Sequence, residues 1–222
     1  MKQRFRDNLL LLFGALLLLV VVIADKPSQA SFAYGRAASL KQASEYEIKA
    51  VYLYNFLLFT EWPKANDAKN YDNKKPAETI CIGILGDNPF GGVFKEVEGK
   101  TIEGKGKKLV IKYFGRYKEN KDITDCQVLF ISSSEKKNVK HILKRLSGKP
   151  ILTVADMNKF VESGGMVNFV KAGKKIRWEV NSTPVKLAGL KLSSQLLRNS
   201  TRIVEIPKLS AGKSAKVAGL YP

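Results

Sequence analysis

Four short apolar stretches, separated by polar or glycine-containing sequence, limit the fold of this chain more than any other feature. Each stretch is rich in β-branched or aromatic residues and too short for a typical helix, which favours a buried strand. The stretches are TICIGIL (79–85), LVIKYF (109–114), CQVLFIS (126–132) and PILTVAD (150–156). The sequence therefore predicts at least four strands that are buried in a sheet.

Helix signals lie between these strands. Asn88 can cap a short helix with Pro89 at its first position. A second helix is predicted from the Ser132–Ser134 cluster to about Gly148, and a short third one at Asn158–Val161. Strands that alternate with helices predict an α/β layered fold with a mostly parallel sheet.

The C-terminal third of the chain adds an antiparallel element. Residues 166–180 predict a hairpin that turns at Ala172–Lys174. A broken helical segment is predicted from Pro184 to Ile203, with an interruption at Gly189. The expected domain spans residues 44–205, and residues 206–222 are predicted to form a mobile basic tail.

The stretch YEIKAVYLYNFLLFTEWP (46–63) predicts an aromatic helix at the start of this domain. Ser44 and Glu47 have the spacing of a capping box, and Pro63 prevents continuation of the helix. A membrane span is excluded because only residues 50–60 are uncharged, far fewer than the roughly 20 that cross a bilayer. The helix is apolar nearly all round, so it is expected to be a core helix. Its principal core residues are predicted to be Tyr52, Asn55, Phe59 and Trp62.

The N-terminus has the order of a secretory signal peptide. Three basic residues precede an uncharged apolar run, Leu9–Ala24, and small residues follow at the spacing that signal peptidase requires. Cleavage is predicted after Ala30, with an uncleaved anchor as the alternative, and residues 31–43 are expected to be a flexible segment. The domain is thus predicted to work outside the cytoplasm.

The chain carries a net charge of +18. Export argues against nucleic acid as the partner that such a charge would otherwise suggest. Two interpretations remain open: a lysine-rich solvated surface, or electrostatic contact with an anionic membrane surface or an acidic partner.

The chain has two cysteines, Cys81 and Cys126. An even number of cysteines outside the cytoplasm favours a disulfide bond. Such a bond would close a loop of about 46 residues and contribute on the order of 4 kcal/mol. The alternative is a pair of buried free thiols. A metal site is disfavoured, because two ligands do not complete one.

No catalytic constellation is evident in the sequence. The glycines around GILGDNPFGG do not have dinucleotide-binding spacing, and His141, the only histidine, lies among basic residues. Asp87 and Asp156 follow predicted strands, so they are expected at the sheet edge where α/β proteins form ligand crevices. We therefore predict neither enzyme activity nor a cofactor or metal, and treat Asp87 and Asp156 as a possible ligand crevice.

The order of several stretches resembles the YfiR family of periplasmic regulators. The matching stretches are YEIKAVYLYNFLLFTEWP, ICIGILGDNPFGGVF, CQVLFISSS, ILTVADMNKFVESGGMVNFV and IRWEVNSTPVKLAGLKLSSQLL. The resemblance implies one Rossmann-like α/β domain in the periplasm. It also implies a protein that represses an inner-membrane diguanylate cyclase by binding the cyclase's periplasmic sensor portion, and so affects cyclic-di-GMP output and biofilm formation.

The resemblance has further consequences for individual residues. Cys81 and Cys126 match cysteines of the family, which supports the disulfide. The resemblance also favours a homodimer. Apolar groups of the aromatic helix or of the segment LAGLKLSSQLL (187–197) are expected to supply the contact surface, because aromatic and leucine anchors dominate interfaces. Two other hypotheses stay open: a periplasmic small-molecule or envelope-binding module at the Asp87–Asp156 crevice, and an extracytoplasmic hydrolase.

Overall fold

The computed structural model describes residues 45–63 and 78–206. The predicted signal peptide (1–30) and the segment 31–43 lie outside the described residues. The same holds for all but the first residue of the predicted tail (206–222).

The described chain forms four α-helices and ten strands. The helices are α1 (45–58), α2 (Val139–Leu146), α3 (Ser182–Leu187) and α4 (Ser194–Arg198). The strands of the first half are β1 (Thr60–Glu61), β2 (Thr79–Leu85), β3 (Thr101–Ile102), β4 (Lys107–Gly115) and β5 (Val128–Ile131). Those of the second half are β6 (Leu152–Ala155), β7 (Val167–Ala172), β8 (Lys175–Asn181), β9 (Lys191–Leu192) and β10 (Arg202–Val204).

Eight of these strands form one sheet in the order β10-β8-β7-β6-β5-β2-β4-β3. The strand pairs from β7 through β6, β5 and β2 to β4 are parallel, as is the pair β10–β8. The pairs β7–β8 and β3–β4 are antiparallel. The predicted α/β fold with a mostly parallel sheet and a C-terminal hairpin is confirmed.

Each face of the sheet supports its own hydrophobic core. Successive side chains of a strand point to opposite faces, so β2 sends Ile80, Ile82 and Ile84 into one core and Cys81 and Leu85 into the other. The first core contains α1, and the second contains α2. The two helices therefore lie on opposite faces of the sheet.

The buried side of α1 differs from the predicted one. Its fully buried apolar residues are Ala50, Leu53, Phe56 and Leu57. The predicted core residues Tyr52, Asn55, Phe59 and Trp62 are only half-buried, and the three aromatic side chains pack against the edge of the first core. The reason is that α1 is apolar on nearly every side, so its sequence periodicity does not distinguish the face that the sheet covers.

Three predicted helical segments also differ. The residues after Pro89 form only a 3₁₀ turn, Val93–Glu96, because Gly91 has a φ of 55° that a helix does not allow. Residues 158–164 form turns, in which Lys159 has a φ of 61°. Ile203, predicted to be helical, lies in the parallel edge strand β10.

Candidate functional site

Helix α1 and the segment that ends in α4 are joined by a small two-stranded sheet. Strand β1, directly after α1, pairs with β9, with Thr60 opposite Leu192. The Ser193 amide donates a hydrogen bond to the Phe59 carbonyl over 2.9 Å. The Trp178 indole Nε1 on β8 donates to the Leu196 carbonyl over 3.1 Å, which holds α4 against the main sheet. These contacts bring together the two segments expected to bind a partner.

A cavity of about 160 Å³ lies where α1, β8 and α4 meet. We call it the aromatic cleft. Its lining consists of aromatic and apolar side chains with polar groups around them: Tyr52, Asn55, Phe56, Phe59, Arg177, Trp178, Gln195, Leu196 and Asn199. An apolar floor inside a polar rim is the usual anatomy of a protein–protein contact site.

Aromatic packing makes the floor of this cleft rigid. The ring centroids of Tyr52 and Trp178 are 5.0 Å apart, and those of Phe56 and Trp178 are 5.3 Å apart, both in edge-to-face geometry. Phe56 also stacks on Phe169 at 5.7 Å. Such pairs stabilise beyond their buried area by about 0.5–1.5 kcal/mol each. The floor is therefore preorganised for a side chain that inserts from outside.

The cleft contains three of the four residues predicted for the aromatic helix. Tyr52, Asn55 and Phe59 line it, whereas Trp62 lies outside it near Lys105, with 6.0 Å between the Lys105 ammonium and the ring centroid. Sequence reasoning missed Arg177. The alternation of polar and apolar residues along β8 indicates that Arg177 and Trp178 face opposite sides, but not that the arginine reaches this cleft.

The two aspartates predicted to share a crevice are in different environments. Asp87 is exposed and forms an ion pair with Arg116 at 3.2 Å. Asp156 has a side chain that is 7% exposed. They follow β2 and β6, which are separated in the sheet by β5, so the two strand ends are roughly 10 Å apart.

Asp156 lines a second cavity of about 330 Å³ at the carboxyl ends of β5 and β6, whose lining does not include Asp87. The cavity is lined by Glu45, Tyr46, Lys49, Ser133, Asp156, Phe169, Val170, Lys171 and Ile176. We call it the charged cavity. It contains one predicted residue, Asp156, together with residues that the sequence reasoning did not select.

A buried lysine organises the charged cavity. The Lys49 side chain is 5% exposed, and its Nζ lies 2.6 Å from Glu45 and 2.7 Å from Asp156. The Tyr46 hydroxyl also donates to Asp156 over 2.8 Å, and Lys171 pairs with Glu45 at 2.7 Å. The only sequence signal for this network is the helical i,i+4 spacing of Glu45 and Lys49.

These contacts shift two acid–base equilibria. Burial alone would raise the pKa of Glu45, but hydrogen bonds from Lys171 and Lys49 lower that pKa below its ordinary value. Burial and the neighbouring Asp156 carboxylate raise the pKa of the Tyr46 hydroxyl. The network thus contains an ionised Glu45 and a neutral Tyr46 at neutral pH.

Cys81 and Cys126 are free thiols in the structure, so the predicted disulfide is not formed. Both are buried in the second core, and the Cys126 thiol contacts the Ile123 carbonyl at 3.8 Å instead. Burial raises the pKa of Cys81 to about 12, and burial also raises the pKa of Cys126. Buried protonated thiols are chemically inert.

In residues 45–63 and 78–206, no group of three or more His, Cys, Asp and Glu side chains is arranged to hold a metal ion. Over the same ranges, none of the helices combines the length and apolar character that crossing a bilayer requires. His141 is exposed and lies 3.4 Å from Glu119.

The fold and its two cavities define a layered α/β protein with candidate binding sites formed by α1 and the sheet. The chain belongs to the YfiR/HmsC-like family, whose model matches residues 46–201. Membership in this family supports a general role as a periplasmic regulator of diguanylate cyclase. It also supports interaction with a membrane signalling protein. A search of curated proteins found no match to this chain.

Proposed function

We propose that this protein represses an inner-membrane diguanylate cyclase by direct contact between the aromatic cleft and the cyclase's periplasmic sensor portion. The observation that carries the proposal is the convergence of α1 and α4 on one cleft, which unites the two segments expected to contact a partner. Family membership supplies the class of partner. The protein acts by binding alone and needs no cofactor.

The dimensions of the cleft favour a protein partner. Its volume of about 160 Å³ is below the roughly 300–1,000 Å³ of typical small-molecule pockets. One large apolar side chain of a partner could enter it and pack on Tyr52 and Trp178. Arg177 and Asn199 at the rim would then bind polar groups around that anchor.

The test uses exposed rim residues, so that the core is left intact. Gln195 and Asn199 are exposed on α4 or just after it. The double variant Gln195→Arg/Asn199→Arg blocks the cleft, and Thr101→Arg/Asn120→Arg makes the same charge change at exposed positions outside it. Intracellular cyclic-di-GMP is measured in the gene deletion and in strains that express each variant at equal level.

The proposal expects raised cyclic-di-GMP in the deletion and in the cleft variant, with normal levels in the control. An unchanged level in the deletion would refute the regulatory role. Normal repression by the cleft variant would refute the aromatic cleft as the contact site.

The homodimer is a separate expectation, tested by light scattering on the purified protein.

A second candidate function is supported by the charged cavity. Its volume of about 330 Å³ falls within the range of small-molecule sites, and it contains two cations and two carboxylates. A periplasmic small-molecule or envelope-component binder could use it. In a thermal-shift screen, a specific ligand raises the Tm of the wild type by mass action. The same ligand should have a weaker effect on Lys171→Ala, which alters the exposed side of this cavity.

A further inference from the structure

Helix α2 and the turn before it present a cationic face to solvent. The helix buries its apolar side against the second core through Val139, Ile142, Leu143 and Leu146. Residues 136–149 include six lysines and arginines and no aspartate or glutamate. We call the four exposed lysines of this segment the basic face: Lys136, Lys137, Lys140 and Lys144.

The four lysines of the basic face are grouped in one exposed segment and are not held in ion pairs with any described residue. Within the two described ranges, none of the four has a carboxylate within ion-pair distance. By contrast, lysines at positions 49, 112, 171 and 186 each pair with a carboxylate. Glu119 contacts His141 of the same helix at 3.4 Å, but none of the four lysine charges is used in an ion pair within the described part of the chain.

The chemistry of the face favours a diffuse anionic surface over a specific anion. Lysine acts as a hydrated point charge, whereas arginine supplies the planar donors that grip one phosphate or carboxylate. Arg145 is the arginine of this segment; it is half-buried, and its Nη1 is shielded from solvent. Lys140 and Lys144 are four residues apart on α2, about 6 Å along the helix and within the Debye length of about 10 Å at 0.1 M salt, so their charges act together.

We propose that the basic face docks on an anionic phospholipid bilayer surface. Since α2 and α1 lie on opposite faces of the sheet, this docking would leave the aromatic cleft accessible to another protein. The proposal does not depend on repression of a cyclase. It gives these four exposed lysines a specific binding role.

The experiment measures binding of the full exported protein, purified from the periplasm, to sedimented vesicles at 0.1 M salt. One vesicle type is phosphatidylcholine alone, and the other contains about 30% phosphatidylglycerol. The test variant is Lys137→Glu/Lys140→Glu/Lys144→Glu. The control is Lys95→Glu/Lys100→Glu/Lys174→Glu, which makes the same net charge change at exposed lysines of other segments.

We expect binding of the wild type and the control to anionic vesicles only, with affinity that falls as salt rises. Each lysine near an anionic surface contributes a factor of about five. The test variant should therefore lose at least about tenfold in partition. The neutral variant Lys137→Gln/Lys140→Gln/Lys144→Gln provides the same comparison if charge reversal impairs folding, and it should show an intermediate loss.

Three results would overturn the proposal. The wild type could fail to bind anionic vesicles at this salt concentration. The test and control variants could lose equal affinity, which would mean that only net charge matters. Binding could also occur to an acidic protein or to peptidoglycan but not to lipid, which would assign the basic face to a different partner.

Discussion

Replacing Lys49 with methionine removes the cation that lies between Glu45 and Asp156. The two N–O distances are 2.6 and 2.7 Å, and the lysine side chain is 5% exposed. At an effective dielectric constant of 20, each ion pair at this distance has an attraction of roughly 6 kcal/mol. The cost of desolvating the three charges, several kcal/mol for each ion, offsets most of this attraction.

In Lys49→Met both carboxylates stay in the protein interior, so the cost of desolvating them is not recovered. Glu45 keeps its contact with Lys171, while Asp156, 7% exposed, keeps one partner among the described residues, the Tyr46 hydroxyl. Removing one member of a buried pair typically lowers the free energy of unfolding by about 3–5 kcal/mol. A typical domain has roughly 5–15 kcal/mol in total. We therefore expect Lys49→Met to lose a large share of its stability.

Urea unfolding at pH 7, followed by tryptophan fluorescence, measures this loss. Lys171→Met is the matched control, since Lys171 is 67% exposed and its pair with Glu45 contributes less than about 1 kcal/mol. Lys49→Met/Asp156→Asn should recover part of the loss, because the unpaired carboxylate is gone. If Lys49→Met is within about 1 kcal/mol of the wild type, or if the double variant recovers nothing, this account of the network is wrong.

Three further predictions concern the turn after β2, the thiols and the response to acid. Gly86 has a φ of 93°, and an added Cβ would lie 2.5 Å from the Ser134 hydroxyl, so Gly86→Ala should lose about 2–3 kcal/mol in urea unfolding. Gly99→Ala, at a φ of 77° in open space, should lose less. Cys81 and Cys126 should resist alkylation at pH 7.5 in the native protein and both react in urea, whereas a mass-spectrometric link between them would contradict the free thiols seen here. The pKa of Glu45 is lowered from 4.5 on folding, so its ionised form stabilises the protein above that pH and this contribution disappears as pH falls through the lower folded pKa. The stability difference between wild type and Glu45→Gln should accordingly shrink below about pH 4.5, and a constant difference down to pH 3 would argue against it.

Much of the fold could be predicted because the strands are short and continuously apolar. The stretches around Ile82, Phe130 and Val154 are buried on both sides of the sheet, so their sequences contain few polar residues. The hairpin was predictable from its alternation and from the turn at Gly173, where φ is 60°. The strands β3, β9 and β10 were not predictable, because each has only two or three residues and exists through its pairing partner.

The candidate sites were less predictable than the fold. Asp156 was found because a polar residue after a buried strand lies at the edge where α/β ligand sites form. Its partners Tyr46 and Lys49 are more than one hundred residues earlier in the chain. In the sequence Lys49 borders the uncharged run 50–60, whereas in the folded protein it is buried.

The sequence by itself determined the class of fold, the existence of the aromatic helix and the family, since these depend on local composition and on the order of short stretches. Only the tertiary structure decided which side of α1 is buried, that Phe59 and Asn199 line the same cleft, and that Lys49 is enclosed by carboxylates. The physical reason is that burial and ion pairing are properties of neighbours in space. An apolar helix and a lysine within it have no fixed role until the sheet covers them.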